Sequence, residues 1–164
     1  MSVDDVPSLD GIHHVKLPVA DLDRTAEWYA SRLGYRLLIR FTKGGRDTGM
    51  VMGHPDGGPM LSFVRDPDRA ARVAGFDYFS IGVRDKEALE TVAARLAAFG
   101  DANAGVHFAT IGWILPDTHD PDGHEVRFYT NDHHTIPADG EVLVVEDPIG
   151  SEDERRDTWA AARR

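Results

Sequence analysis

From His13 to Val19 the chain reads "HHVKLPV", and Val15, Leu17 and Val19 fall on one side of an extended backbone. This alternation predicts a half-buried strand, with Pro18 better suited to an edge or a strand end than to the middle of a sheet. The period then changes. Asp21 is a capping residue for "LDRTAEWYASRLG", where Leu22, Ala26, Tyr29 and Leu33 share one helical face and Gly34 stands where a helix ends. Three strands are predicted next, at 35–41, 48–53 and 59–64, separated by the turn sequences "TKGGRD" and "HPDGG". Residues 65–74 read as a linker with one or two helical turns.

The pattern then restarts. Residues 76–83 alternate as a strand, Asp85 caps a helix over "DKEALETVAARLAAFG", and strands are predicted at 105–110, 112–119 and 125–130. Pro116 within one of these implies an edge or a bulge. The turn "DPDG" before the last strand combines a proline that presets one dihedral with a glycine that accepts a positive one. Set over each other, "GIHHVKLPVADLD" and "GFDYFSIGVRDKE" match Gly11 with Gly75, Val19 with Val83 and Asp21 with Asp85. "HPDGGPMLSFV" resembles "DPDGHEVRFYT" likewise, with one residue of slippage in the turn. This is an internal repeat of the order β-α-β-β-β. It divides the chain into a tail (1–10), a first module (11–64), a linker (65–74), a second module (75–131) and an extension (132–164). The extension holds one further short strand, 141–145, and a charged end containing Trp159.

Composition narrows the classes of function. No apolar run in the 164 residues approaches membrane-spanning length. The acidic start "MSVDDVPSLDG" does not read as a signal peptide. The absence of cysteine excludes disulfides and thiolate–zinc sites and fits a cytoplasmic location. A formal net charge of −10 argues against nucleic acid or anionic lipid as a partner. It leaves room for a small ligand in a locally basic pocket.

The first strand and helix, "HHVKLPVADLDRTAEWYASRLGY", and the last hairpin, "DPDGHEVRFYT", resemble the vicinal oxygen chelate superfamily, which includes glyoxalase-like proteins, bleomycin-resistance proteins and extradiol dioxygenases. The resemblance covers about residues 11–131. It implies an α+β fold of two tandem βαβββ modules whose curved mixed sheets form a cup-shaped cleft, and a homodimer. Metal-using members draw ligands from the first and fourth strands of each module. Carried over by position, these places hold His14, Ser62, Tyr78 and Arg127. Only histidine among them is an ordinary ligand, and arginine cannot ligate. No cofactor is therefore expected. If a divalent ion were present, His14 and Glu125 would be its ligands. His54, His119 and His124 lie in or beside turns and read as exposed turn residues, while His107, His133 and His134 are further imidazoles.

Alternation assigns His14 and Lys16, Met60 and Ser62, Tyr78 and Ser80, and Glu125, Arg127 and Tyr129 to the cup, with His13 pointing away. Trp113, Phe41 and Met52 are candidate apolar walls, and Trp28 packs its own helix. Polar groups converging in a concavity favour a ligand site. A purely structural reading also stands: Lys16 could snorkel to the rim, Arg127 could pair with Glu125 or another carboxylate, and Tyr78 and Tyr129 could be packing aromatics. The functional reading makes His14, Tyr78 and Arg127 catalytic in metal-independent proton transfer by an isomerase, lyase or cyclase acting on a small oxygenated or anionic substrate. A non-catalytic drug- or metabolite-binding protein is the alternative. A metal-dependent lyase or dioxygenase with a rearranged ligand set is the third.

Overall fold

Asp21 decides where the first helix begins. Its carboxylate accepts the N–H groups of Asp23 and Arg24 at 2.9 and 3.0 Å, which holds it below the ordinary carboxylate pKa. A computed structural model, describing residues 9–109, 112–131, 141, 142 and 144, shows the helix that follows as α1 (Leu22–Leu33). Gly34 closes it at φ +79°, donating its N–H to the Ala30 carbonyl. The buried face of α1 is Leu22, Thr25, Trp28 and Tyr29; Ala26 and Leu33 are only half-buried.

Around α1 lie β1 (His14–Val19), β2 (Arg36–Lys43), β3 (Arg46–Gly53) and β4 (Met60–Arg65). They form one sheet in the order β1-β4-β3-β2, with β1 parallel to β4 and the other pairs antiparallel. Pro18 is in an edge strand, where a missing N–H is tolerated. Leu17, Val19, Met50, Met52, Leu61 and Phe63 are buried, and the Phe63 ring lies 5.0 Å from that of Tyr29 on α1. That contact fixes which side of the sheet faces the helix.

The second half repeats the plan. After α2 (Pro67–Val73) come β5 (Asp77–Val83), α3 (Lys86–Ala98), β6 (His107–Ala109), β7 (Gly112–Leu115) and β8 (Glu125–Thr130). The sheet order is β5-β8-β7-β6, with β5 parallel to β8. Asp85 caps α3 through the Ala88 N–H, as Asp21 caps α1. Both proline turns close by the same bond, Gly57 N–H to His54 and Gly123 N–H to Asp120. Leu89, Leu96, Leu115, Val126 and Phe128 form the core. The chain divides into two compact units, one ending at Ala70 and the next beginning at Ala71. Each unit is an α+β βαβββ module.

Three expectations change. The strand at 112–119 ends at Leu115, because Pro116 interrupts it and Asp117 adopts φ +58°. β6 is confined to 107–109, and residues 110 and 111 lie outside the described set. For the strand expected at 141–145, Glu141, Val142 and Val144 are exposed and outside any strand, and the other two residues lie outside the described set. So does Trp159. No helix among the described residues is long and apolar enough to cross a membrane.

Two glycines test different forces. A Cβ at Gly34 would meet nothing closer than His54 Nε2 at 3.6 Å, so Gly34→Ala should cost only the left-handed backbone penalty, about 1 kcal/mol. A Cβ at Gly49 would lie 2.8 Å from the Phe63 carbonyl oxygen, so Gly49→Ala must push β3 from β4 and should cost about 2–3 kcal/mol. Urea unfolding of the two variants should rank them in that order.

Candidate functional site

On the first sheet, the side away from α1 carries a polar row. Parallel pairing aligns His14 with Met60 and Lys16 with Ser62. His14 and Lys16 are exposed, Met60 is half-buried and Ser62 is buried. Continuing across β3 and β2 in register, Val51 and Ile39 follow Ser62, and Phe41 lies opposite Gly49. Phe41 therefore lies on this side, while Met52 is buried on the helix side with Leu61. Trp28 is buried in α1.

The histidine doublet departs from simple alternation. His13 precedes the first residue of β1, so the pleat does not force it away from His14. The two Nδ1 atoms are 3.0 Å apart and the rings meet edge-on. One Nδ1–H donates and the other nitrogen accepts, so at least one ring must be neutral while the bond lasts. Sequence reasoning missed His13 as a neighbour of His14, although the adjacency in "HHV" was its signal.

On the second sheet, Arg127 is the centre. Its Nε donates to Glu125 Oε1 at 2.7 Å and its Nη2 to Glu125 Oε2 at 3.2 Å. Nη1 lies 2.9 Å from Asp77 Oδ2. Glu125 Oε1 also accepts the Asp117 N–H at 3.1 Å. Burial pushes the Glu125 carboxyl up, but the Arg127 and Asp117 hydrogen bonds outweigh it and hold the group below its ordinary pKa. The Arg127 guanidinium is pushed down by burial and, more strongly, up by its carboxylates. Ser80 is exposed and in register with Arg127, and Tyr129 is half-buried beyond it. Burial raises the Tyr129 hydroxyl.

Simple alternation would set Asp77 on the face opposite Tyr78 and Ser80. A register shift between Asp77 and Ser80 brings both to the Arg127 side, and no periodicity in the sequence shows a bulge. Tyr78 lies within this shifted stretch. Its ring packs edge-on to Phe76 and His124, its hydroxyl reaches the Val73 carbonyl at 3.4 Å, and burial raises its pKa, so it stays a neutral donor at pH 7. His124 is fully buried, not an exposed turn residue, because the "DPDG" turn folds back and Gly75 N–H bonds Gly123. His54 keeps its turn role, accepting the Asp56 N–H, and His107 Nδ1 lies 3.2 Å from the Gly105 carbonyl. His133 and His134 lie outside the described residues. Trp113 lies on the helix side, edge-on to Phe108 and with Lys86 Nζ of α3 over its ring at 4.3 Å.

A divalent ion at β8 would compete with a guanidinium for Glu125, whose Oε1 already takes two N–H donors and whose Oε2 takes a third. Among the described residues no three His, Asp or Glu side chains cluster to hold an ion. Arginine gives no electron pair, so this donor set does not fit a metal as it stands. It can instead offer N–H donors to an oxygen, since three of the five N–H groups of Arg127 go to its carboxylates.

Arg127→Ala should leave Glu125 ionised and nearly buried without its main partner, costing about 2 kcal/mol or more at pH 7. Asp77→Asn, more exposed, should cost under about 1 kcal/mol. Because the folded Glu125 pKa lies below 4.5, its stabilisation is present above that value and disappears as pH falls through the folded pKa. Urea midpoints across that range should converge for wild type and Arg127→Ala as the medium becomes acidic.

Comparison with known proteins follows the same architecture. The chain resembles the structure of a glyoxylase/bleomycin resistance protein/dioxygenase domain from Frankia sp. EAN1pec at 26% identity and a TM-score of 0.60, covering 75% of this chain and 98% of that one. TnmS3, an antibiotic binding protein from Streptomyces sp. CB03234, shares the fold at 18% identity and a TM-score of 0.62, over 76% and 98% of the two chains. Lactoylglutathione lyase from Agrobacterium tumefaciens does so at 18% and 0.59, over 76% and 96%. No curated protein matches the sequence. The family model of the Glyoxalase/Bleomycin resistance protein/Dioxygenase superfamily matches residues 11–128, and the chain belongs to that superfamily.

Proposed function

We propose that this protein is a small-molecule enzyme that moves a proton without a metal ion, as an isomerase, lyase or cyclase acting on a small oxygenated substrate. The observation that carries the reading is Arg127 held by Glu125 and Asp77, at a position that the family resemblance matches to a ligand of metal-using members. A fixed guanidinium there occupies a cation's place and offers N–H groups to a carbonyl or hydroxyl oxygen. The two carboxylates leave this group with one net negative charge, which favours an uncharged oxygen over a full anion. Ser80 and Tyr129 border it. His14 is the proton acceptor of the reading, with His13 orienting its ring through the Nδ1 contact. Tyr78, neutral at pH 7, is the donor. Lys16, Met60 and Ser62 lie on the sheet face of His14 and are candidate ligand contacts beside it. A cytoplasmic location fits the cysteine-free sequence, and a homodimer is what the family resemblance implies.

A second reading rests on a different observation. Phe76 and Tyr78 form an exposed edge-to-face pair at 4.9 Å, a stacking surface for a planar drug or metabolite. The antibiotic-binding relative shares the fold, and sequestration would need no proton acceptor.

Exchange of a carbon-bound proton for solvent deuterium separates the readings. Protein treated with a chelator would be incubated in deuterium oxide with a panel of small hydroxyketones and 2-oxo acids and followed by NMR. Exchange that survives chelation and falls at least about 100-fold in His14→Ala is expected. Exchange abolished by the chelator and restored by one divalent metal would overturn the metal-free mechanism. Ligand-induced thermal stabilisation without any exchange would favour sequestration.

A further inference from the structure

The pairing around β8 is irregular on both sides at the level of Glu125. On one side lies the register shift between Asp77 and Ser80. On the other, Leu115 of β7 pairs with Phe128, and His119 then stands opposite Glu125 across an isolated antiparallel bridge. From Leu115 to His119 the chain advances four residues, while its partner moves only three, from Phe128 back to Glu125. One extra residue is therefore accommodated between them, as in a β-bulge. Asp117 absorbs it at φ +58°, the only positive φ of a non-glycine residue among those described.

This bulge decides what His119 faces. Alternation counted from Leu115, a core residue opposite Phe128, would put His119 on the helix side, and the extra residue reverses it. Residues directly opposite in an antiparallel pair point to the same side of the sheet. His119 is therefore on the side of Glu125 and Arg127, and it is half-buried instead of being an exposed turn residue. Asp117 holds both ends of the arrangement. Its N–H goes to Glu125 Oε1 at 3.1 Å, and its Oδ1 lies 3.9 Å from His119 Nδ1. The charge of His119 helps to hold the Glu125 carboxyl below its ordinary pKa. Two backbone bonds fix the hairpin on either side of His119, Val126 N–H to Thr118 at 2.8 Å and Asp120 N–H to His124 at 3.0 Å.

We infer that His119 is an acid–base residue of the Arg127 site, a role that rests on the proton-transfer reading above and gives the second module a proton carrier of its own. Arg127 offers N–H groups to a carbonyl oxygen, and His119, on the same sheet face, takes a proton from the carbon beside that carbonyl. The C–H bond breaks and its electron pair forms a carbon–carbon double bond. The carbonyl π pair moves onto the oxygen that Arg127 holds, and the proton forms an N–H bond at Nε2. A proton on Nδ1, beside the Asp117 carboxylate, leaves Nε2 as the acceptor. The same carboxylate faces the imidazolium that results. Return of the proton to the same or the adjacent carbon restores the neutral ring, so the cycle needs no further reactant. Asp77, Asp117, His119, Glu125 and Arg127 all belong to one compact unit.

Deuterium exchange into the hydroxyketone panel, after chelator treatment, tests His119 apart from His14. His119→Ala should lose exchange by at least about 100-fold while keeping the wild-type circular dichroism and urea midpoint. Added imidazole should restore exchange in His119→Ala in proportion to its concentration, a response that a merely structural role would not give. His119→Gln, which keeps a polar side chain, should lose exchange as fully and provides the reading if the alanine variant is unstable. Loss in His119→Ala with retention in His14→Ala would also support the inference and would move the acceptor role to His119. Full exchange in both His119 variants would overturn the inference and leave the proton-transfer reading standing. Loss that imidazole does not restore would overturn it too. No exchange by the unmodified protein with any compound would overturn that reading and this inference with it.

Discussion

The parallel pairing of the first and last strand of each unit is the constraint on which the rest depends. A parallel partner cannot be reached by a tight turn, so a helix must cross between β1 and β2, and between β5 and β6, before the chain returns. That return brings residues nearly fifty positions apart into register, His14 beside Met60, Lys16 beside Ser62, and Asp77 beside Glu125. The helix covers one face and the polar residues are left on the other. The candidate chemistry is a consequence of this pairing and not of any local motif.

Within that frame, the ion-paired arginine sets the character of the second sheet. Two acidic residues in register across a parallel pair, Asp77 and Glu125, would repel each other were they not bridged. Arg127 bridges them with three of its N–H groups. The same arrangement that makes the acidic pair tolerable commits the electron pairs of Glu125. The pairing that satisfies the guanidinium uses three of its five N–H groups.

The local readings survived because local forces decide them. Asp21 and Asp85 cap their helices since a short carboxylate beside free backbone N–H groups has no better partner. Gly34, "HPDG" and "DPDG" place their turns through backbone sterics alone. Period-2 alternation put Leu17, Val19, Leu61, Phe63, Val126 and Phe128 in the cores, as found. It did not foresee the bulge between Asp77 and Ser80, nor the contact with His14 of His13, which precedes the pleat.

The sequence by itself determined the repeated βαβββ plan, the helix boundaries, the turn types and most of the core, because caps, glycines and hydrophobic periods act over a few residues. Only the tertiary structure decided which carboxylate meets Arg127, that His124 is buried against Tyr78, and that His13 and His14 share a hydrogen bond. Those outcomes depend on strand register and on one bulge. Register is set by the sum of contacts across neighbouring strands, a quantity no single stretch of sequence contains.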